Sequence, residues 1–315
     1  MTVLVTGASG LVGRRLCHRL MRDGLNVCAA VRTFPPIDTL DQMMVVGPID
    51  QATDWRQALW QVQTVVHCAA RVHVMHDAEA DPLRAFRTVN VQGTLNLARQ
   101  AAGAGVKRFV FISSVKVNGE FTVPGRAFTE TDAANPQDAY GQSKHEAEQG
   151  LRQIAADTGM EIVIIRPPLV YGPGVKANFA ALMRAVERGW PLPLGAVRNL
   201  RSLVALDNLV DFIVTCTHHL QAANQTFLVS DGQDLSTTEL VRGMAQAAGV
   251  SAHLLPVPVW LLQAGATLLG KGDVVQRLCG NLQVDISKAR SRLGWVPPIS
   301  IDEGLRCAVR GLNSQ

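Results

Sequence analysis

A doubly wound α/β fold, with helices on both faces of a parallel sheet and a smaller, mostly C-terminal lobe, is predicted by three features of this 315-residue chain. Short apolar runs rich in Val and Ile alternate with helix-length amphipathic stretches, the pattern of strands buried on both faces. A glycine-rich turn joins the first apolar run to the first helical stretch. After Arg166 the sequence becomes proline-rich and changes character, which marks the start of a second lobe.

The strands are read at Val3-Leu4-Val5, residues 27–31, Val65-Val66, residues 109–112 and residues 162–165. Helices are predicted over residues 11–24, 82–103 and 139–158, each closing near a glycine or a loop signal. A later apolar run at 226–230 reads as a strand returning to the same sheet. Residues 1–167 with that strand therefore form one domain, and residues 168–315 form most of an interleaved second lobe. The most apolar stretch, residues 254–270, is shorter than a spanning helix and carries Pro256 and Pro258 near its start, so a packed helix is expected there.

Composition narrows the function classes. Hydrophobic residues make up 47% and charged residues 18%, a well-buried globular protein rather than a disordered one. The net charge of +4 comes from basic residues spread along the chain, so no nucleic-acid surface is expected. Cys17, Cys28, Cys68, Cys216, Cys279 and Cys307 are widely spaced, without metal-ligand spacing, and read as reduced thiols. The N-terminus enters a strand pattern at once, without the basic and apolar regions of a signal peptide, so the expected location is the cytoplasm.

Gly7-Ala8-Ser9-Gly10-Leu11-Val12-Gly13 places three glycines at intervals of three between the first strand and the first helix. Gly7 permits the tight turn, Gly10 lets backbone approach a pyrophosphate, and Gly13 allows close helix packing, as in a Rossmann dinucleotide site. The helix N-terminus then faces the phosphates. At the end of the second strand, where an acidic residue would bond the ribose 2′-hydroxyl, stands Arg32. A guanidinium there favours a 2′-phosphate, so NADP(H) is the expected cofactor and NAD(H) the alternative.

Tyr140 and Lys144 lie four residues apart at the start of the 139–158 helix, on one face. An ammonium near a phenol favours the phenolate and lowers the tyrosine pKa, which suits proton exchange with a substrate oxygen. Upstream, Phe109-Val110-Phe111-Ile112-Ser113-Ser114 is a strand ending in hydroxyls at the sheet edge where such folds bind ligands, and Ser114 can hydrogen-bond a reacting oxygen.

With those residues in place, the sequence resembles the extended short-chain dehydrogenase/reductases, the group of nucleotide-sugar epimerases, dehydratases and reductases, almost from end to end. The resemblance is carried further by His67-Cys68-Ala69-Ala70, by Asn90-Val91-Gln92-Gly93-Thr94, by the run from Arg166 through Tyr171-Gly172-Pro173-Gly174, and by Asp285-Ile286-Ser287-Lys288. It implies a catalytic set of Ser114, Tyr140 and Lys144. It also implies a cofactor bound by Gly7, Ser9, Gly10, Leu11, Val12 and Gly13, by Arg32, Ile49 and Asp50, by Cys68, Ala69 and Ala70, and by Tyr140, Lys144 and Pro167. By the same resemblance Asn178, Arg201 and Arg277 hold the diphosphate and nucleotide of a UDP-sugar; a homodimer is one expectation for the assembly, which the sequence itself does not fix.

Departures from the pattern bear on the substrate. Leu169, Leu203 and Asn118 stand where several epimerases carry polar or aromatic residues, and Pro48 takes the usual place of an acidic adenine contact, with Asp50 close by. The segments Ser113-Ser114-Val115-Lys116-Val117-Asn118-Gly119-Glu120 and Leu255-Pro256-Val257-Pro258-Val259-Trp260 look similar to bacterial C4-reductases of UDP-4-keto-6-deoxy-N-acetylhexosamine that serve O-antigen synthesis. Reduction of that 4-ketone is the reading the resemblance implies. A UDP-hexose or UDP-N-acetylhexosamine 4-epimerase is the alternative, and a non-catalytic NADPH-sensing regulator a third.

Overall fold

A computed structural model of the chain describes residues 1–34, 43–72, 81–268, 270 and 272–312. Seven parallel strands form the main sheet: β1 (Thr2–Thr6), β2 (Asn26–Val31), β3 (Met43–Val45), β4 (Thr64–His67), β5 (Arg108–Ile112), β6 (Glu161–Arg166) and β9 (Thr226–Leu228). Their order is β3-β2-β1-β4-β5-β6-β9, so the winding reverses between β1 and β4. Ligands bind at such a switch point, outside the carboxyl ends of the strands. The register brings those ends level, since Thr6 faces both Ala30 and His67, and Ile112 faces Ile165.

Both faces of the sheet are covered because alternate side chains of each strand are apolar. Val3, Val5, Val66, Val110 and Val163 pack into one cluster with Leu16 and Leu20 of α1 (Leu11–Arg22) and with Leu209, Phe212 and Ile213 of α6 (Leu206–His218). Leu4, Val65, Phe109, Phe111 and Ile162 point the other way, onto α3 (Thr94–Gly103) and α4 (Ala139–Thr158). Burying such apolar surface is worth about 25 cal/mol per Å², and this burial does most to hold the layers together.

The helix expected over residues 82–103 is divided. α2 (Pro82–Arg87) and α3 flank a π-helical turn, Thr88–Gly93. The wide turn carries Asn90 inward, where its amide donates to the Arg71 carbonyl at 3.0 Å and to Ser143 Oγ at 2.9 Å and its carbonyl accepts the Arg71 N–H at 2.8 Å. Such turns recur at functional sites.

The second lobe is built on a three-stranded sheet, ordered β10 (Asp234–Leu235), β8 (Arg201–Ala205), β7 (Leu169–Tyr171). Its own core includes Tyr171, Phe179 of α5 (Ala177–Glu187), Val241 and Met244 of α7 (Thr237–Ala248) and Leu305 of α11 (Ile301–Leu312). The Tyr171 hydroxyl donates to Asp231 at 2.7 Å, and the other Asp231 oxygen accepts from Ala205 N–H and Asn208. One carboxylate thus ties the small sheet to α6 and to the connection that leaves β9. The later apolar run forms β9, parallel to β6. There α10 (Ser287–Leu293) leans on the main sheet, its Lys288 donating to the Thr226 carbonyl at 2.9 Å.

The stretch at 254–270 contains a helix, α8 (Val259–Leu268), which packs on the second core through Val259 and Leu262 with Ala266 buried, while its opposite face is exposed. Among the described residues no helix is long and apolar enough to cross a membrane.

Candidate active site

The glycine turn leaves β1 with Gly7 at φ +65°, a left-handed conformation that favours glycine. A Cβ on Gly7 would lie 2.8 Å from the Ala69 backbone, and one on Gly13 would lie 2.2 Å from the Gly7 carbonyl oxygen, so helix, turn and the β4 exit interlock through bare backbone. Gly10 is different. It is exposed, meets only the Gly7 carbonyl at 3.2 Å, and supplies no capping side chain to α1, whose first turn holds no carboxylate. That end of α1 keeps its amide hydrogens and the positive pole of the helix open to an anion. Exposed Ser9 and half-buried Leu11 and Val12 flank the opening. These residues fit a dinucleotide pyrophosphate.

The other expected cofactor residues border the same edge. Arg32 is exposed just past β2, and half-buried Cys68, Ala69 and Ala70 follow β4, with the Ala69 N–H donating to Thr6 Oγ1 at 3.3 Å. Ile49 and Asp50 lie in the loop after β3, where Asp50 Oδ1 accepts the Ala52 N–H at 2.7 Å and so shapes a turn. Pro167 is buried at the exit of β6, and its carbonyl accepts the Val115 N–H at 3.0 Å.

Ser114, Tyr140 and Lys144 come together at the ends of β5 and α4. Asp138 caps α4, accepting the Gly141 N–H at 2.7 Å, and this cap sets where the helix begins and hence which face carries Tyr140 and Lys144. The Ser114 side chain acts on the Tyr140 phenol, favouring its phenolate. The Lys144 ammonium is 2% exposed, donates to the Ile112 carbonyl at 2.8 Å, and lies 4.5 Å from the Phe111 ring centre and 5.9 Å from that of Tyr140. Burial pushes its pKa down to about 8, against the pull of Cys68 and Glu148.

The phenol departs from the sequence expectation. Burial and the Asp138 carboxylate raise the Tyr140 pKa above its usual value, and Ser114 only partly opposes them.

Three supports were not singled out as site residues by sequence reasoning. His67 is wholly buried, with Thr6 Oγ1 at 2.7 Å and Thr94 Oγ1 at 2.9 Å from its two ring nitrogens, and burial pushes its pKa down to about 3, helped by Lys144. Glu148, one turn beyond Lys144, accepts from Arg166 and from Ser113 Oγ at 2.6 Å, so a buried ion pair fixes the strand exits beneath Ser114. Lys116 pairs with Asp138 and, at 2.8 Å, with Glu120. The sequence signals were thin: His67 and Lys116 are single polar residues among apolar ones, and Glu148 is one of several charged residues on α4.

The expected substrate residues do not form one cluster. Arg201 opens β8, and its guanidinium donates to the Arg277 carbonyl at 2.8 Å and the Gly280 carbonyl at 3.2 Å, capping α9 (Gly272–Cys279). Burial lowers its pKa, with the Glu120 carboxylate opposing. Arg277 meets it only through backbone, and the Arg277 side chain is exposed. Asn178 is exposed in the first turn of α5, whose N-cap is Lys176. Leu203 is buried in the second core, so its departure from the epimerase pattern alters packing and no pocket wall.

Comparison with known proteins agrees with this geometry. The family model described as the NAD dependent epimerase/dehydratase family matches residues 3–230. The chain is 52% identical over 307 residues to a UDP-glucose 4-epimerase of Vibrio cholerae, covering 97% of this chain and 93% of that one. It is 29% identical over 319 residues to an N-acetyl-alpha-D-glucosaminyl-diphospho-ditrans,octacis-undecaprenol 4-epimerase of Escherichia coli O157:H7, covering 96% and 92%. The fold is that of the UDP-glucuronic acid 4-epimerase of Bacillus cereus, solved with NAD, at a TM-score of 0.80, 20% identity, and coverage of 100% and 99%. All three are named as 4-epimerases, where the sequence segments had pointed to C4-reductases. The chain belongs to the NAD dependent epimerase/dehydratase family and is an NAD-dependent enzyme of the oxidoreductase type.

Proposed function

We propose that the chain is a 4-epimerase of a UDP-hexose or UDP-N-acetylhexosamine. The observation that carries the reading is the 52% identity, along nearly the whole chain, to a UDP-glucose 4-epimerase, in a protein whose Tyr140 phenol is influenced by Ser114 and has the Lys144 ammonium 5.9 Å from its ring centre. When bound, the nicotinamide supplies the two-electron acceptor and donor for sugar C4.

Tyr140 takes the proton of the sugar 4-hydroxyl as C4 is oxidised and gives it back when the ketone is reduced from its other face. Ser114 donates to the same oxygen and fixes its position. Lys144, a cation in a dry site, stabilises negative charge on the Tyr140 oxygen during transfer. Arg201 is the candidate for the diphosphate, through a guanidinium fork that matches two phosphate oxygens. Reaching it requires exchange of the α9 carbonyls for phosphate. Arg32 stands where a carboxylate would reject a 2′-phosphate, so we assign binding of NADP(H) alongside NAD(H).

The test is incubation of the purified protein and NAD with UDP-glucose and, separately, UDP-N-acetylglucosamine, followed by NMR of the sugar. Interconversion of C4 epimers without net change in NADH is the expected result. Absence of interconversion, with stoichiometric NADPH consumption on a UDP-4-keto-6-deoxy sugar, would replace this reading by C4 reduction.

A further inference from the structure

We infer that the α8 face of the second lobe docks on the surface of an anionic lipid bilayer. Twenty consecutive residues, 251–270, contain no Asp, Glu, Lys or Arg. Within them α8 turns apolar side chains outward: Trp260 is 66% exposed, Leu261 45% and Leu268 88%. Val259, Leu262 and Ala266 turn inward to the second core, Gln263 and Thr267 stack one turn apart on one flank, and Trp260, Ala264, Leu261 and Leu268 make an outward apolar stripe of the kind that is ordinarily covered. Ten residues reach only about 15 Å, half a bilayer core, so the helix can lie in the interface but not cross it.

The flanking charges favour lipid over protein as the cover. α9 packs beside α8 and ends in exposed Arg277. On the other side, residues 253–255 pair with Leu192, two residues after exposed Trp190, whose ring carries the Arg188 guanidinium at 5.6 Å. Tryptophan at the headgroup level with arginines beside it matches an anionic leaflet. A second copy fits poorly. A two-fold contact through α8 would bring like cations together, and one short helix offers far less than the roughly 800 Å² per partner of a stable interface.

The same hairpin reaches the active site. Arg201 bonds the carbonyls at the end of α9, so lipid seated on α8 lies against the element that holds the candidate diphosphate residue.

Vesicle flotation tests the inference on the full-length protein. With phosphatidylglycerol–phosphatidylethanolamine vesicles at low salt the wild type is expected to float, and much less so with phosphatidylcholine alone or at high salt. A Trp260→Ser/Leu261→Ser double variant should lose about tenfold or more in vesicle affinity while keeping its thermal midpoint and its turnover of soluble substrate. Should that variant fail to fold, Leu268→Ser at the exposed far end gives the same reading. Failure of the wild type to float, equal flotation of the variants, or loss of a sedimenting dimer in the variants would each overturn it, the last assigning α8 to a second copy.

Discussion

Tyr140 can serve as both acceptor and donor of one proton only if its surroundings let it change charge cheaply, and those surroundings are mixed. Burial and Asp138 hold it neutral, while Ser114 favours its phenolate and the Lys144 ammonium lies 5.9 Å from its ring centre. Tyr140→Phe keeps the ring, including its edge contact with Phe86, and removes the transferable proton. Turnover should fall about a hundred- to ten-thousand-fold with cofactor affinity within a few-fold, measured by initial rates and cofactor titration. Lys144 adds a pH signature. Its pKa is down to about 8, so the cation is present below that pH and lost above it, and kcat should decline as pH rises through about 8. The four-residue spacing of the pair was legible in the sequence because a helix makes i and i+4 neighbours. The opposing pull of Asp138 was not, since it depends on a cap whose carboxylate is shared with Lys116, brought from another segment.

The glycine turn and the first helix illustrate what is readable at the scale of elements. Periodicity gave six of the seven main-sheet strands and the bounds of α4, because buried strands and amphipathic helices repeat at different intervals, but it missed the three-residue β3 and the short β7 and β10. Periodicity did not give the π turn at Thr88–Gly93, which exists through long-range bonds of Asn90 to the backbone of Arg71 and to Ser143. Nor did it give the exposure of α8, because a short apolar helix reads the same whether packed or bare. The π turn carries its own prediction. Asn90→Ala leaves a buried amide, a carbonyl and a hydroxyl short of one partner each, and should cost about 2 kcal/mol of stability by urea denaturation. Because Ser143 Oγ also donates to the Tyr140 carbonyl at 2.7 Å, the variant should lose activity more than cofactor binding. A loss of stability with kcat untouched would reduce Asn90 to a packing role.

Across the whole molecule, burial disfavours the charged forms of several titratable groups, and two of the basic ones, His67 and Lys144, bend the pH–stability curve in the same direction. Fold class was legible because alternating strands and helices imply a parallel sheet and a glycine turn after the first strand marks a dinucleotide site, whereas the strand order came only with the structure. The buried charges were illegible, since burial of one polar residue in an apolar run is decided by tertiary packing. His67 has a folded pKa near 3 against 6.5 unfolded. Between those values the unfolded chain binds the extra proton, so stability falls as pH falls, by up to about 1.4 kcal/mol per pH unit. Lys144 has a folded pKa of about 8 against 10.5, so between those values the unfolded chain again binds more protons and stability rises with pH. Both groups therefore place the optimum on the alkaline side of neutrality. His67→Asn removes one titration and keeps a hydrogen-bonding side chain between Thr6 and Thr94. The variant should be less stable than wild type at pH 7.5 yet lose less on going from pH 7.5 to 5, followed as denaturation midpoints at each pH. Parallel curves for the two proteins would show that His67 is not the group that titrates on acid unfolding.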